Sequence, residues 1–270
     1  MESGIPAWGQ MWLLAILIYA VCKAVVWMRL RECSAPCWKQ AAFLLAWPGM
    51  NANEFVSQSS EPTPHRDLTC DSLWAAASIA FGAFLFWIVA PQLSDERETL
   101  IAWLGMIGTI LMLHFGVFRL LANYWRAQGA DARPIMNAPW AASSVSEFWG
   151  KRWNTGFRDL AVQCIFRPVA RRMGVASATW AVFLFSGVVH DLVISLPAGA
   201  GYGRPTLYFL IQAMAVQFEH TALAHRLGMH NAIRGRLLAA VVILAPVELL
   251  FHAPFRTHVM IPFMEALGAR

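Results

Sequence analysis

The chain has 270 residues, 58% hydrophobic and only 14% charged, with a mean hydropathy of +0.48. Soluble domains carry about a quarter charged residues and disorder needs low hydrophobicity, so this composition excludes both an ordinary water-soluble domain and a disordered chain. The net charge of +5 and pI near 9.2 then point to basic loops facing an anionic leaflet rather than to nucleic acid, and the 13 Trp and 17 Phe suit aromatic belts at membrane interfaces.

A bilayer asks for about 20 mostly apolar residues per helix. Ser3 to Cys22 is uncharged, and Lys23 follows at its end, where a lysine can snorkel to the interface. The N-terminus offers Glu2 and no base, unlike the basic start of a signal peptide, so the first helix is expected to be retained. Gln40 to Met50 is apolar but short and ends in Trp47-Pro48-Gly49, which predicts a half-buried or re-entrant piece. Asn51 to Asp71, with its Ser, Pro and Thr, reads as a surface loop. Ser72 to Ser94 is a second uncharged run, and Thr99 to Phe118 a third, closed by Arg119. Met173 to His190 is a fourth, extending past Asp191 towards Leu196. Pro205 to Phe218 is a fifth, running on through Glu219, and Leu237 to Phe255 a sixth, holding Glu248. The expected fold is all-α: a polytopic transmembrane bundle of about six spans plus re-entrant or interfacial helices, in one membrane-embedded domain over 1–270.

Loop charges orient the spans. Arg29, Arg31, Lys39 and Arg66 follow the first helix, whereas Asp95-Glu96-Arg97-Glu98 joins the second and third. After the third come Arg126, Arg133, Lys151, Arg152, Arg158, Arg167, Arg171 and Arg172. The Gly199 to Gly203 loop is nearly uncharged, and Arg226, Arg234 and Arg236 fill the next. This alternation puts the Asn154 segment in the cytoplasm and both termini outside, provided Gln40 to Met50 does not cross. Cys22, Cys33, Cys37, Cys70 and Cys164 fall mostly in helices or on the cytoplasmic side, where disulfides are rare. Cys33 and Cys37 lack a second pair for zinc.

Polar groups inside a membrane are costly and each needs a reason. His190, Asp191, Glu219 and Glu248 stand out. Hydrogen bonding between helices accounts for Glu219 and Glu248. A neutral imidazole such as His190 can also take a proton near neutral pH. Ser186 lies four residues before His190, on the same helix face. No Gly-x-Ser-x-Gly elbow marks it as a nucleophile, so Ser186 and Gly187 read better as small residues that admit another helix or a substrate. His220, His225 and His230, each separated by four residues, look like fragments of the histidine boxes of membrane di-iron oxygenases. There is no His-His pair, and His65, His114, His252 and His258 are scattered. No metal is expected.

The most informative segment is Ser146-Glu147-Phe148-Trp149-Gly150-Lys151-Arg152-Trp153-Asn154. Six cations fall between Lys151 and Arg172 against one acid, Asp159. Two readings stay open. An interfacial amphipathic segment could dock on anionic lipid. Alternatively, Lys151, Arg152 and Arg158 could hold the phosphates of a polyanionic cofactor, with the Trp149 and Trp153 indoles against its purine.

Phe148 to Asn154, followed by Arg158 and Arg167-Pro168, resembles the signature of the wax synthase-like branch of the membrane-bound O-acyltransferases. Phe183-Leu184-Phe185-Ser186-Gly187-Val188-Val189-His190-Asp191 resembles that branch's histidine motif, and Trp47-Pro48-Gly49-Met50 is a weaker third match. The resemblance runs from about Pro139 to Glu219. It implies a polytopic helical fold that moves an acyl group from a coenzyme A thioester to a hydroxyl. It also implies a catalytic histidine at His190 and a polar partner at Asn154, which donates to the thioester carbonyl or orients the imidazole. Acyl-CoA is then a co-substrate rather than a permanently bound cofactor, and the other partners are a hydroxyl acceptor and membrane lipids. Asp191 stands where plant wax synthases usually carry Glu. Two other readings compete: a histidine-box iron oxygenase, and a transporter or scaffold using Asp191, Glu219 and Glu248 as a polar path.

Overall fold

The structure, a computed structural model, describes residues 4–29, 36–56, 65–229 and 231–270. Glu2, Ser3, Arg31, Cys33 and His230, named above, lie outside the described residues, as do the side chains of His65 and Arg66. Every regular element among the described residues is helical, so the fold is an all-α polytopic bundle. Among the described residues, four helices are long and apolar enough to cross a membrane: Ala7–Met28, Leu68–Gln92, Asp95–Ala127 and Thr155–Ala198. The last breaks its helical path at Gly174, whose φ of 83° suits glycine. That break falls next to Met173, the expected start of the fourth span.

Two expected spans differ. Arg204–Glu219 has 16 residues, about 24 Å of helix, shorter than the roughly 30 Å hydrocarbon core. Its bounds match the expected run, and left-handed Gly199, Gly201 and Gly203 form the turn that precedes it. The sixth span is broken: Ala232–Leu250 and Ala253–Ala266 meet at 64°, with Pro246 and Pro254 on either side of the bend. The chain therefore has four clear spans among its described residues, or five when the bent pair counts as one. Cys37–Ala46 has 10 residues and ends at extended Trp47, too short to cross. The stretch read as a surface loop is partly helical, with Ala52–Val56 and the start of His65–Phe84 inside it.

The chain packs as two compact units. The first holds Met1–Ile16, Asn137–Trp153 and Ala161–Phe263; the second holds Leu17–Met136, Asn154–Leu160 and Met264–Arg270. In the first, Val145, Ala215 and Ala239 form a buried cluster under Trp149, Val216, Val242 and Ile243. In the second, Gly82 and Gly108 bring two spans together: a Cβ on Gly82 would lie 2.6 Å from the Gly108 carbonyl. Asp71 there binds Arg119 and Arg126.

Lys23 corrects the snorkelling expectation. It is 2% exposed and turns inward, donating to the Trp47 carbonyl at 2.8 Å and to that of Gly49. Its ammonium sits 3.5 Å from the centre of the Phe43 ring. Two carbonyl dipoles and a π-face thus replace the water a snorkelling lysine would reach.

Candidate active site

His190 closes the Arg167–His190 helix, within the first unit. Its Nδ1 lies 2.7 Å from the Ser186 carbonyl. A carbonyl oxygen only accepts, so Nδ1 carries the proton and Nε2 carries the ring's lone pair. Phe209 covers the imidazole, with ring centres 4.5 Å apart. Ser186 spends its hydroxyl on the Val182 carbonyl, 3.0 Å away on its own helix; it is not poised as a nucleophile. Gly187 does admit a neighbouring helix, since a Cβ there would lie 2.6 Å from Thr206 Cα.

Asp191 anchors that neighbour. Its Oδ1 accepts from Gly203 N and Ser195 Oγ, both at 2.9 Å. Its Oδ2 accepts from Thr206 N at 3.1 Å and from the Thr206 hydroxyl. The carboxylate therefore caps the start of Arg204–Glu219 from another helix, where orphan N–H groups and the helix dipole favour an anion. Behind it, Ser195 Oγ lies 3.2 Å from His252 Nε2. Ser195 and His252 are fully buried.

The tryptophan-rich motif is a short turn held by two carboxylates. Ser144 Oγ caps Glu147 N at 2.9 Å, and Glu147 reaches back to Ser143 N at 2.7 Å, close to a capping box. The Ser143 hydroxyl, and then its N–H and the Arg152 guanidinium, hold the Glu147 carboxyl down at about 2. Glu219 accepts from Val145 N at 2.6 Å, Ser146 N at 2.9 Å and Ser146 Oγ at 2.6 Å. Glu219 is thus a helix-capping group rather than a station on a polar path.

The five residues expected to bind a cofactor are used unequally. Trp149 donates to Gln212 at 3.2 Å and packs on Phe209, ring centres 5.5 Å apart. Trp153 stacks on Phe148. Arg152 binds Glu147 and the carbonyls of Asn137 and Ala138, so its fork is spent on holding the turn. Lys151 is exposed. Arg158 lies in the second unit, paired with Asp159 at 3.0 Å.

Asn154 opens the 154–160 stretch of the second unit. Its φ is 42°, a left-handed conformation that asparagine tolerates better than most residues. Oδ1 accepts from Phe157 N at 3.2 Å, capping the Thr155–Ala161 helix. The amide's donors are therefore on Nδ2. Next to it, a Cβ on Gly156 would lie 3.4 Å from Gly49 Cα and the Pro48 carbonyl. The Trp47-Pro48-Gly49 match and the Asn154 match are thus neighbours in space, and Lys23 secures the former.

Sequence reasoning missed Ser195, His252, Lys23 and Glu147. His252-Ala253-Pro254 carried a legible signal, a capping residue with proline just inside a helix. His220 directs Nδ1 to the Val216 carbonyl at 2.7 Å, and no three His, Cys, Asp or Glu side chains gather as metal ligands among the described residues.

Residues 132–212 match the profile of the membrane bound O-acyl transferase family. A long-chain-alcohol O-fatty-acyltransferase of Simmondsia chinensis is 35% identical over 172 residues, which are 55% of this chain and 48% of that protein. Probable long-chain-alcohol O-fatty-acyltransferase 8 of Arabidopsis thaliana is 37% identical over 109 residues, 34% of this chain and 30% of that protein. An acyl-CoA–sterol O-acyltransferase of Arabidopsis thaliana is 27% identical over 70 residues, 23% of this chain and 20% of that protein. The aligned part spans less than half the length of these relatives. The resemblance to the wax synthase-like branch is borne out, and the chain is an integral membrane protein.

Proposed function

We propose that this chain is an integral-membrane O-acyltransferase that moves an acyl group from acyl-CoA to a hydroxyl of a lipid or small-molecule acceptor, with His190 as general base. The observation that carries the proposal is the Ser186 carbonyl on His190 Nδ1, which leaves the lone pair on Nε2. The acceptor O–H donates to Nε2, and its proton moves there as the oxygen attacks the thioester carbonyl. The tetrahedral oxyanion then expels the coenzyme A thiolate, and the imidazolium returns its proton to sulfur. Phe209 and the surrounding membrane keep bulk water from competing with the acceptor.

Asn154 is the candidate oxyanion donor through Nδ2, because Oδ1 is committed to Phe157 N. Lys151 and Arg158 are the candidates for the donor's phosphates, and Arg152 is kept for the turn. The names of the relatives support a long-chain donor and an alcohol or sterol acceptor. The basic stretch 126–172 faces the cytoplasm, from which the donor arrives. Both termini lie outside, which requires that short Arg204–Glu219 and the bent pair both cross.

Two experiments test this reading. Purified protein in nanodiscs, given acyl-CoA, should release free coenzyme A only when a fatty alcohol or sterol is added; the ester should accumulate in step. Thioester cleavage that ignores the acceptor would overturn it. For topology, cysteines at the exposed loop positions Gln128 and Tyr202 should label from opposite sides, and labelling from one side would refute the orientation.

A further inference from the structure

His252 lies outside both sequence motifs, yet it is fully buried, and each ring nitrogen has a partner whose chemistry fixes its role. Phe255 N donates to Nδ1 at 3.3 Å, so Nδ1 is the acceptor. In the neutral ring, Nε2 therefore carries the proton, and it points at Ser195 Oγ 3.2 Å away. The serine hydroxyl has a single hydrogen. The Asp191 carboxylate at 2.9 Å is a closer and stronger acceptor for it than the Gly201 carbonyl at 3.4 Å. The three groups form a one-way chain, from the His252 N–H to the Ser195 O–H to the Asp191 carboxylate.

Asp191 passes this constraint on. It directly follows His190, and its other bonds fix Gly203 N, Thr206 N and the Thr206 hydroxyl. Thr206 is the residue against which Gly187 lies. One turn further along the same helix, Phe209 covers the His190 ring. Gly201 confirms how closely the loop fits His252, since a Cβ there would lie 2.5 Å from the imidazole.

We infer that His252 is a positioning residue for His190, acting through Ser195 and Asp191 to fix the Arg204–Glu219 helix and, with it, the Phe209 ring that sets the imidazole's orientation. This rests on the acyltransferase reading for its effect on turnover, but its geometric content stands apart from it. The two nitrogens give the test its resolution. A glutamine amide reaches the Nε2 position and can donate to Ser195, whereas an asparagine amide reaches only the Nδ1 position and can cap Phe255 N.

The experiment compares His252→Gln, His252→Asn, His252→Ala and Ser195→Ala in nanodiscs, with thermal melting as the check on folding. His252→Asn, His252→Ala and Ser195→Ala are expected to lower kcat by up to about 10²-fold, the scale of an ångström misplacement, with donor and acceptor KM little changed. His252→Gln should restore most of kcat. His252→Ala combined with Ser195→Ala should be no worse than either alone, because both cut one chain. Retention by Asn and loss by Gln would overturn the inference and leave His252 a helix cap. A second readout needs no turnover: in protein with ¹⁵N-labelled histidine, the His190 signals should shift in His252→Ala and Ser195→Ala and return in His252→Gln. An unmoved His190 signal would overturn the inference even in an active enzyme. A wild type lacking acyl transfer would instead defeat the functional reading, and the signals would decide the positioning role.

Discussion

His190 and Asn154 are each tied by one atom to their own helix, and the ties are of opposite kind. His190 gives its Nδ1 proton to a carbonyl four residues back, which leaves an acceptor at Nε2. Asn154 takes a backbone N–H three residues ahead on Oδ1, which leaves donors at Nδ2. The first tie suits the role of base proposed for His190, and the second suits the role of oxyanion donor proposed for Asn154. Their supports are opposite too. In the unit that holds His190, the carboxylates of Asp191 and Glu219 collect orphan N–H groups at helix starts. In the unit that holds Asn154, the Lys23 ammonium collects orphan carbonyls from Trp47 and Gly49. In each of these three cases a charged side chain satisfies backbone groups, as a low-dielectric surrounding demands.

The largest break in this comparison should come from Asn154→Asp. Aspartate keeps the capping oxygen, so the melting temperature should hold, but it replaces the donors with negative charge. We expect kcat to fall by roughly 10²-fold or more if Nδ2 donates to the oxyanion. A normal kcat in Asn154→Asp would reduce the residue to a cap.

The supports come next. Lys23→Met leaves the Gly49 carbonyl without its ammonium, and Glu219→Ala leaves Val145 N and Ser146 N without their acceptor. Each should cost about 1–3 kcal/mol, the penalty for stranding a buried polar group, read as a lower denaturation midpoint. Unchanged midpoints would mean that backbone satisfaction is not what these charges supply.

Lys151 and Arg152 should then separate, although the sequence presents them as one basic pair. Arg152→Ala is expected to loosen the turn and lower stability, whereas Lys151→Ala should raise the apparent donor KM and reduce its salt sensitivity without affecting stability. Identical behaviour of the two would contradict the assignment of the Arg152 fork to Glu147. The smallest effect belongs to His225→Ala. The side chain is exposed, and acyl transfer should stay within twofold or so of wild type on the usual scale of surface substitutions. A dead His225→Ala protein would revive the histidine-box reading.

The helical class, the His190 segment and the first spans were legible because long uncharged runs and a lone imidazole are local signals. What was not legible depended on contacts far apart in the chain. Lys23 at a helix end reads as a snorkelling residue until Trp47 and Gly49, more than twenty positions on, supply its carbonyls. His252 reads as one of several scattered histidines until Ser195 is seen beside it. Arg204–Glu219 keeps the bounds its apolar run predicts, but at 16 residues it is short for a span because left-handed Gly199, Gly201 and Gly203 form the turn just before it. Trp149 and Trp153 read as stacking platforms, and only the structure shows that Trp149 also packs on Phe209 and Trp153 on Phe148.

The proposed role of His190 as a base through Nε2 predicts the outcome of one measurement, acceptor-dependent coenzyme A release by His190→Ala protein in nanodiscs. Folding should be checked by melting and donor binding by direct titration. The variant should melt near wild type and still bind the thioester but turn over about 10²- to 10⁴-fold more slowly, the usual worth of general-base catalysis. A well-folded His190→Ala protein that transfers acyl groups at the wild-type rate would contradict that role.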